Sequence, residues 1–399
     1  MTQLKELRDF YASKLFDECL PFWLNNAVDH EYGGFMTALD RDGTVVDTDK
    51  SVWHQGRFTW LLGELANDSA FSDRPGRKTW TDTARFGGDF LRKSCFDTAD
   101  GRMWFHVDRQ GYPIRKRRYA FSESFAAIAF GELAQHDQNE EYRTLALQCF
   151  DRFLNHDQRA DVEPKFTQHR PMQSLGAPMI SIVTSQELRS SLEWNPADAV
   201  IEEAIGTIEK YFVKPELECV MENVSPSGEL VDHFDGRTLN PGHAIEASWF
   251  IMEEGRIRQK QSWIDLGCQM FDWMFAKGWD AEYGGLLYFV DVKGLPVQEY
   301  WHDMKFWWPH NEALIAALLA YECKRDEKYL EIHQMIHDWC YQHFQDDEFG
   351  EWFGYLHRDG RRSVTLKGNL WKGPFHYPRM LLTCIRILDR LLKANESKS

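Results

Sequence analysis

The chain has 399 residues, 43% of them hydrophobic, and a formal net charge of −16. That is ample material for a large core, while the acidic balance argues against a nucleic-acid or anionic-membrane surface, which needs clustered Lys and Arg. The eight cysteines form no CxxC pair, the pattern of reduced thiols rather than of a disulfide framework.

Residues 3–24 alternate charged and apolar side chains at helical spacing and read as a first helix. No basic leader, apolar core and cleavage site precede it, so no signal peptide is expected. No run reaches 18 uninterrupted apolar residues, so nothing is expected to span a membrane, and the expected location is cytoplasmic. Residues 33–46 then alternate around an Asp-Gly turn and read as a short hairpin. The pattern recurs at 102–114, more loosely at 220–230, and again at 284–297 and 351–363. The turn glycines, Gly43, Gly111, Gly228, Gly294 and Gly360, are nearly evenly spaced but for one gap wide enough for another copy. A degenerate copy fits near Gln173-Ser-Leu-Gly176, which makes six units.

Between the hairpins, helical periodicity predicts elements at 53–65, 79–92, 121–134, 141–154, 179–192, 197–211, 243–254, 261–275, 312–323 and 331–344. With the first helix and a last one at 380–388, the total is twelve. Two helices per repeat and six repeats predict an all-α fold, an (α/α)6 toroid or barrel with short β-hairpins in the loops. A linear solenoid competes, but six is the count that closes and no capping repeats are evident. One catalytic domain is expected over 1–392, with a frayed tail at 393–399.

Three loop-to-helix junctions carry the candidate chemistry: Asn240-Pro241-Gly242-His243, Trp307-Trp308-Pro309-His310-Asn311-Glu312, and Trp371 to Arg379. Proline fits a helix start because its missing N–H would have no partner there. His243 and Glu246 are three apart and share a helix face, as do His376 and Arg379. Two imidazoles on opposite sides of a substrate would let a proton leave one face of a carbon and return on the other, since histidine titrates near neutrality. Arg57, in the first inner helix, needs a carboxylate or a substrate oxygen as partner. The sixteen Trp and fourteen Tyr suit, in part, a pocket that stacks on sugar rings. His333 and His337, four apart but without an adjacent catalytic Glu or Cys, read as an outer-helix surface pair rather than as metal ligands. Gly76-Arg-Lys-Thr79 lacks the form of a phosphate loop.

In Val52-Trp53-His54-Gln55-Gly56-Arg57, Phe121-Ser-Glu-Ser-Phe125, Glu222-Asn-Val-Ser225, Asn240-Pro-Gly-His243-Ala-Ile-Glu-Ala247, Lys305 to Ala313, Glu351-Trp-Phe-Gly-Tyr355 and Phe375-His-Tyr-Pro-Arg379, the sequence resembles the N-acylglucosamine 2-epimerase family, which includes the renin-binding protein. The likeness runs over nearly the whole chain. It implies an (α/α)6 barrel and inversion at C2 of N-acetylglucosamine or N-acetylmannosamine, with His243 and His376 as acid and base and Arg57 and Glu312 at essential positions. Glu246, Trp308, Trp371, Arg379, Asn240 and Trp53 are then the expected substrate contacts. No cofactor or metal is expected for the chemistry, ATP enters as a non-consumed activator, and a homodimer is expected. A 2-epimerase of free mannose or a disaccharide, an aldose–ketose isomerase, and a non-catalytic binding protein are the competing functions.

Overall fold

A computed structural model of the chain describes residues 2–156 and 164–396. Among these residues, twelve long helices account for the predicted ones. Helix α1 is a run of three segments, Thr2–Ser13, a π-helical turn Lys14–Cys19, and Leu20–Asn26. Then follow α2 Val52–Asn67, α3 Arg77–Ser94, α4 Phe121–Asp137 and α5 Glu140–Leu154. Next come α6 Gly176–Leu192 and α7 Ala197–Thr207, which runs on into a π-helical turn Ile208–Phe212. The last five are α8 Pro241–Ile257, α9 Gln261–Gly278, α10 Trp307–Lys324, α11 Glu327–His343 and α12 His376–Glu396.

Burial separates two classes of helix. In α10 every residue from Trp307 to Ala320 is buried, as expected of a helix surrounded by others. In α3 only one stripe is, including Trp80, Ala84 and Leu91, while Lys78, Asp82 and Arg85 face solvent. The even-numbered helices form the inner ring: α2 packs on α4, α4 on α6, α6 on α8, α8 on α10 and α10 on α12. Arg386 of α12 closes the ring, 2.6 Å from Glu64 and 2.6 Å from Asp68 at the end of α2. Each inner helix is backed by an odd-numbered one, and α12 is backed by α1, so the two ends of the chain complete the last pair. The fold is an (α/α)6 toroid, and the meeting of its ends rules out the linear solenoid.

Two of the expected hairpins pair within themselves, Ala38–Leu39 with Val45–Asp47 and His106–Val107 with Pro113–Arg115, but as a set the loop strands differ from self-contained hairpins. Turns do form at the predicted glycines, with φ of +90° at Gly43 and +98° at Gly111. The two-residue strand leading into an inner helix, however, often pairs with the hairpin of the next repeat. Lys50–Ser51 pairs with His106–Val107, Gln173–Ser174 with Asn223–Val224, Thr238–Leu239 with Val290–Asp291, and Lys305–Phe306 with Tyr355–Leu356. Leu39 bridges to Gly368 in the same way, joining the first repeat to the last. The degenerate copy placed at Gln173–Gly176 is therefore an entry strand followed by the first residue of α6.

A repeated ionic staple locks these junctions. Lys50 Nζ lies 2.8 Å from Asp29, which Arg109 of the next hairpin also contacts at 3.0 Å. Lys305, Asp280 and Arg358 repeat the arrangement, with contacts of 2.9 and 2.8 Å to the carboxylate. So do Lys367, Asp346 and Arg41, where the arginine of the first repeat reaches an acid of the last at 2.7 Å.

Two readings of the sequence change. His333 is fully buried, and Tyr11 of α1 is hydrogen-bonded to both His333 and His337 at 2.9 Å, so this pair joins α1 to α11 and is no surface pair. Helix α12 continues to Glu396 through residues assigned to a frayed tail; 397–399 lie outside the described residues. Among the described residues, no helix is long and apolar enough to cross a membrane.

Candidate active site

First turns of the six inner helices line one cavity of about 920 Å³, through Trp53, Phe121, Met179, His243, Trp308 and His376. Local chemistry explains the placement of the two histidines. Pro241 opens α8, and the Asn240 side chain accepts the His243 amide at 3.2 Å, capping the helix and holding His243 at its mouth. Helix α12 starts at His376 itself, which is held by a partner on α10.

That partner is Glu312, fully buried, with Oε1 2.7 Å from His376 Nδ1. Its other oxygen accepts Trp249 Nε1 at 2.8 Å. Arg379 Nη2 donates to Glu312 at 2.7 Å and to Glu246 at 2.5 Å, so one guanidinium ties both carboxylates together. His243 has its own acid: both carboxylate oxygens of Glu222 lie 3.1 Å from its Nδ1, and Asn240 Nδ2 lies 3.0 Å from the same nitrogen. Each acid engages Nδ1 and leaves Nε2 for the cavity. The indole of Trp308 packs against both imidazoles, with ring centroids 5.1 Å from His243 and 5.7 Å from His376.

The two imidazoles titrate apart. Burial, the Arg379 charge and the nearby Arg57 and His243 charges push His376 well below the usual histidine range, so it is neutral at pH 7. Burial acts the same way on His243, but the charge and hydrogen bond of Glu222, helped by Glu246, outweigh it and raise the pKa. Groups of one type with pKa values driven apart are chemically able to serve as an acid and a base.

Arg57 is 8% exposed and sits among the rings of Phe125 at 4.0 Å, Phe375 at 4.7 Å and Trp53 at 5.2 Å. Its Nε has no hydrogen-bond partner among the described residues. Burial and Arg379 push its pKa down to about 9, which still leaves it charged at neutrality.

Trp53, Trp308, Glu246, Arg379 and Trp371 all line the cavity. Trp371 is 43% exposed at the rim and stands edge-on to Trp53 at 5.9 Å. Asn240 is not in the cavity wall; it caps α8 and meets His243. Glu312, expected as a first-turn acid, is instead the sixth residue of α10, because the helix begins at Trp307. The sequence reading assigned no role to Glu222, Trp249 or Phe375. Glu222 lies in the bend between the short strands Cys219–Val220 and Asn223–Val224, 21 positions before His243, and nothing in its neighbourhood marks the pairing.

Glu246, Glu312 and His376 offer ligand atoms within 4.8 Å of one another, a spacing a metal would accept. Arg379, bonded to both carboxylates, already supplies the positive charge between them.

Residues 33–377 match the sequence profile of the N-acylglucosamine 2-epimerase (GlcNAc 2-epimerase) family. The chain is 35% identical to N-acylglucosamine 2-epimerase of Bos taurus over 98% of this chain and 93% of that one. Among solved structures, cellobiose 2-epimerase from Bacillus thermoamylovorans superposes with a TM-score of 0.81, 19% identity, and coverage of 97% of this chain and 100% of that one. A D-mannose isomerase superposes with a TM-score of 0.78, 17% identity, and coverage of 96% and 98%.

Proposed function

The chain belongs to the N-acylglucosamine 2-epimerase family and is an isomerase of the epimerase type, and from that premise we propose that it interconverts N-acetyl-D-glucosamine and N-acetyl-D-mannosamine by inverting C2 of the ring-opened sugar. The observation that carries this reading is the pair of glutamate-held histidines on one indole, one with its pKa lowered and one with its pKa raised.

In one direction neutral His376 removes the C2 proton through Nε2. The C2–H electron pair becomes the C1=C2 bond, and negative charge collects on the C1 oxygen. Arg57, fixed in a ring-lined and largely water-free wall, stabilises that oxyanion, where a preorganised charge acts most strongly. Protonated His243 delivers its proton to the opposite face, the electron pair returns to C2, and the epimer leaves. The histidines end with their protonation states exchanged, and solvent resets them. The reverse reaction begins from that exchanged form.

Trp371 at the rim favours a second reading, in which free hexoses or a disaccharide stack at the mouth and the same groups serve a 2-epimerase or an aldose–ketose isomerase. One assay separates them: N-acetylmannosamine, mannose and cellobiose side by side, with products identified by NMR. The first reading predicts turnover of N-acetylmannosamine to N-acetylglucosamine; a ketose product or no reaction with the amino sugar contradicts it. The same reading includes ATP as a non-consumed activator, a homodimer and a cytoplasmic location. Assays with and without ATP and light scattering test the first two.

A further inference from the structure

Four hairpins are in register at a short turn: Gly33-Gly34-Phe35, Gly101-Arg102-Met103, Gly284-Gly285-Leu286 and Gly350-Glu351-Trp352. In the first three, the backbone N–H of the third residue is accepted by a side chain from the opening of the next inner helix. Gln55 Oε1 takes Phe35 at 2.7 Å, Glu123 Oε1 takes Met103 at 2.9 Å, and His310 Nε2 takes Leu286 at 2.8 Å. In the fourth, Glu351 itself accepts the Trp352 N–H at 3.0 Å. The inner helix that follows is α12, whose opening carries His376 and Arg379.

Glu351 does this in a backbone conformation that disfavours a side chain. Its φ is +54°, in the left-handed region, where the equivalent Gly34 and Gly285 have +70° and +72°. A Cβ at Gly34 would lie 2.5 Å from Gln55 Oε1, and one at Gly285 would lie 2.6 Å from the Trp339 ring, so those two repeats have no room for a side chain, whereas the second carries Arg102 and the last Glu351. Glu351 is 2% exposed and fully engaged: Oε1 also binds Lys372 Nζ at 2.8 Å, and Oε2 accepts Trp23 Nε1 at 2.6 Å and Cys19 Sγ at 3.0 Å. Lys372, itself fully buried, donates a second bond to the Lys367 carbonyl at 3.0 Å. The loop so pinned carries Trp371 to the cavity rim, places Phe375 against Arg57 and Arg379, and ends at His376.

We propose that Glu351 is a positioning residue for the epimerase site: it takes over a support that other repeats draw from the inner helix, freeing the opening of α12 for chemistry, and through Lys372 it fixes the loop that delivers His376. A strained left-handed backbone at a buried acid is the kind of local strain that collects at functional sites. This inference rests on His376 acting at C2, as read above.

The test uses Glu351→Gly, which relieves the backbone, Glu351→Gln, which keeps the shape, and Lys372→Met, each read for melting temperature, kcat and KM. The expected result is a loss of about 10²-fold in kcat with a smaller change in KM, the cost of a small misplacement at a reacting centre. The Glu351→Gln/Lys372→Met double variant should lose little more than either single one, because both act through one contact. A purely structural role would lower the melting temperature and leave kcat of the folded protein unchanged, and that result overturns the proposal. So does failure of both Glu351 variants to fold. A wild-type protein that turns over no sugar refutes the epimerase reading instead; a wild type and folded variants of equal kcat/KM refute only the positioning role.

Discussion

Glu222 and Glu312 both hold a histidine by Nδ1, yet the two imidazoles are shifted in opposite directions, and the charges around each acid account for part of the difference. Burial lowers both imidazoles; at His376 the charge of Arg379, which is bonded to Glu312, adds to it, whereas at His243 the charge and hydrogen bond of Glu222 outweigh it and raise the pKa. The working form is then the singly protonated pair, so kcat/KM should follow a bell in pH. Its acid limb lies below the ordinary histidine value of about 6.5 and its alkaline limb above. Both directions of the reaction should share that bell, since both use the same number of protons. Replacing Glu222 with Gln removes the charge that raises His243, so the alkaline limb should move to lower pH; a limb that stays in place contradicts the pairing. Arg57→Met should cost about 10²–10³ in kcat, as loss of one oxyanion-stabilising group does elsewhere, in a variant whose far-UV circular dichroism is unchanged. Sequence singled out His243 and His376 because each stands at a helix opening, and Arg57 and Glu312 because a charge within a helix of apolar pattern needs a partner. Glu222 and Trp249 were not, because their roles arise only when distant repeats meet.

At the scale of the elements, the Asp–Lys–Arg staples hold one repeat to the next. Their aspartates sit low: salt bridges and hydrogen bonds outweigh burial and bring Asp29 down to about 2, and Asp280 and Asp346 lower still. A carboxyl lowered by folding contributes stability that is fully present above its unfolded value near 3.9 and is lost as pH falls through the folded value. Unfolding free energy should therefore fall steeply below about pH 4 from these groups, and not between pH 5 and 7. Burial disfavours the charged lysines, with Lys305 and Lys367 pushed down to about 8, so removing one partner alone does the harm. Asp346→Asn should cost about 3–5 kcal/mol by urea denaturation, because it strands a buried ammonium. Arg41→Ala, at a side chain 34% exposed, should cost far less, because solvent screens its half of the staple. Equal costs would contradict the staple as described. The helices were readable from their 3.6-residue periodicity, and so were the hairpins at 33–46 and 102–114, but the strands that enter the inner helices were not. Two residues carry no pattern of their own, and a strand such as Thr238–Leu239 finds its partner, Val290–Asp291, in the next repeat.

Taken whole, the molecule is a ring whose closure depends on both chain ends, with α1 backing α12, Arg41 reaching Asp346, and Trp23 and Cys19 of α1 bonded to Glu351. Deleting residues 2–26 should leave α12 without its outer partner and abolish cooperative unfolding, where a linear array would lose only one end unit. Six-fold repetition was visible in the spacing of turn glycines; that the last repeat differs from the others at Glu351 was not, because the reason is a bond to α1. The ring exists, on this account, to bring two imidazoles to one carbon, and isotope exchange tests that most directly. In D2O the wild-type protein should place deuterium at C2 of both epimers. His376→Ala and His243→Ala should each lose epimerisation by about 10²–10⁴-fold, and each should still exchange the C2 proton of one epimer only, a different epimer for each variant. Retention of wild-type epimerisation by either variant, or loss of exchange with the same epimer in both, would contradict a mechanism with one histidine on each face.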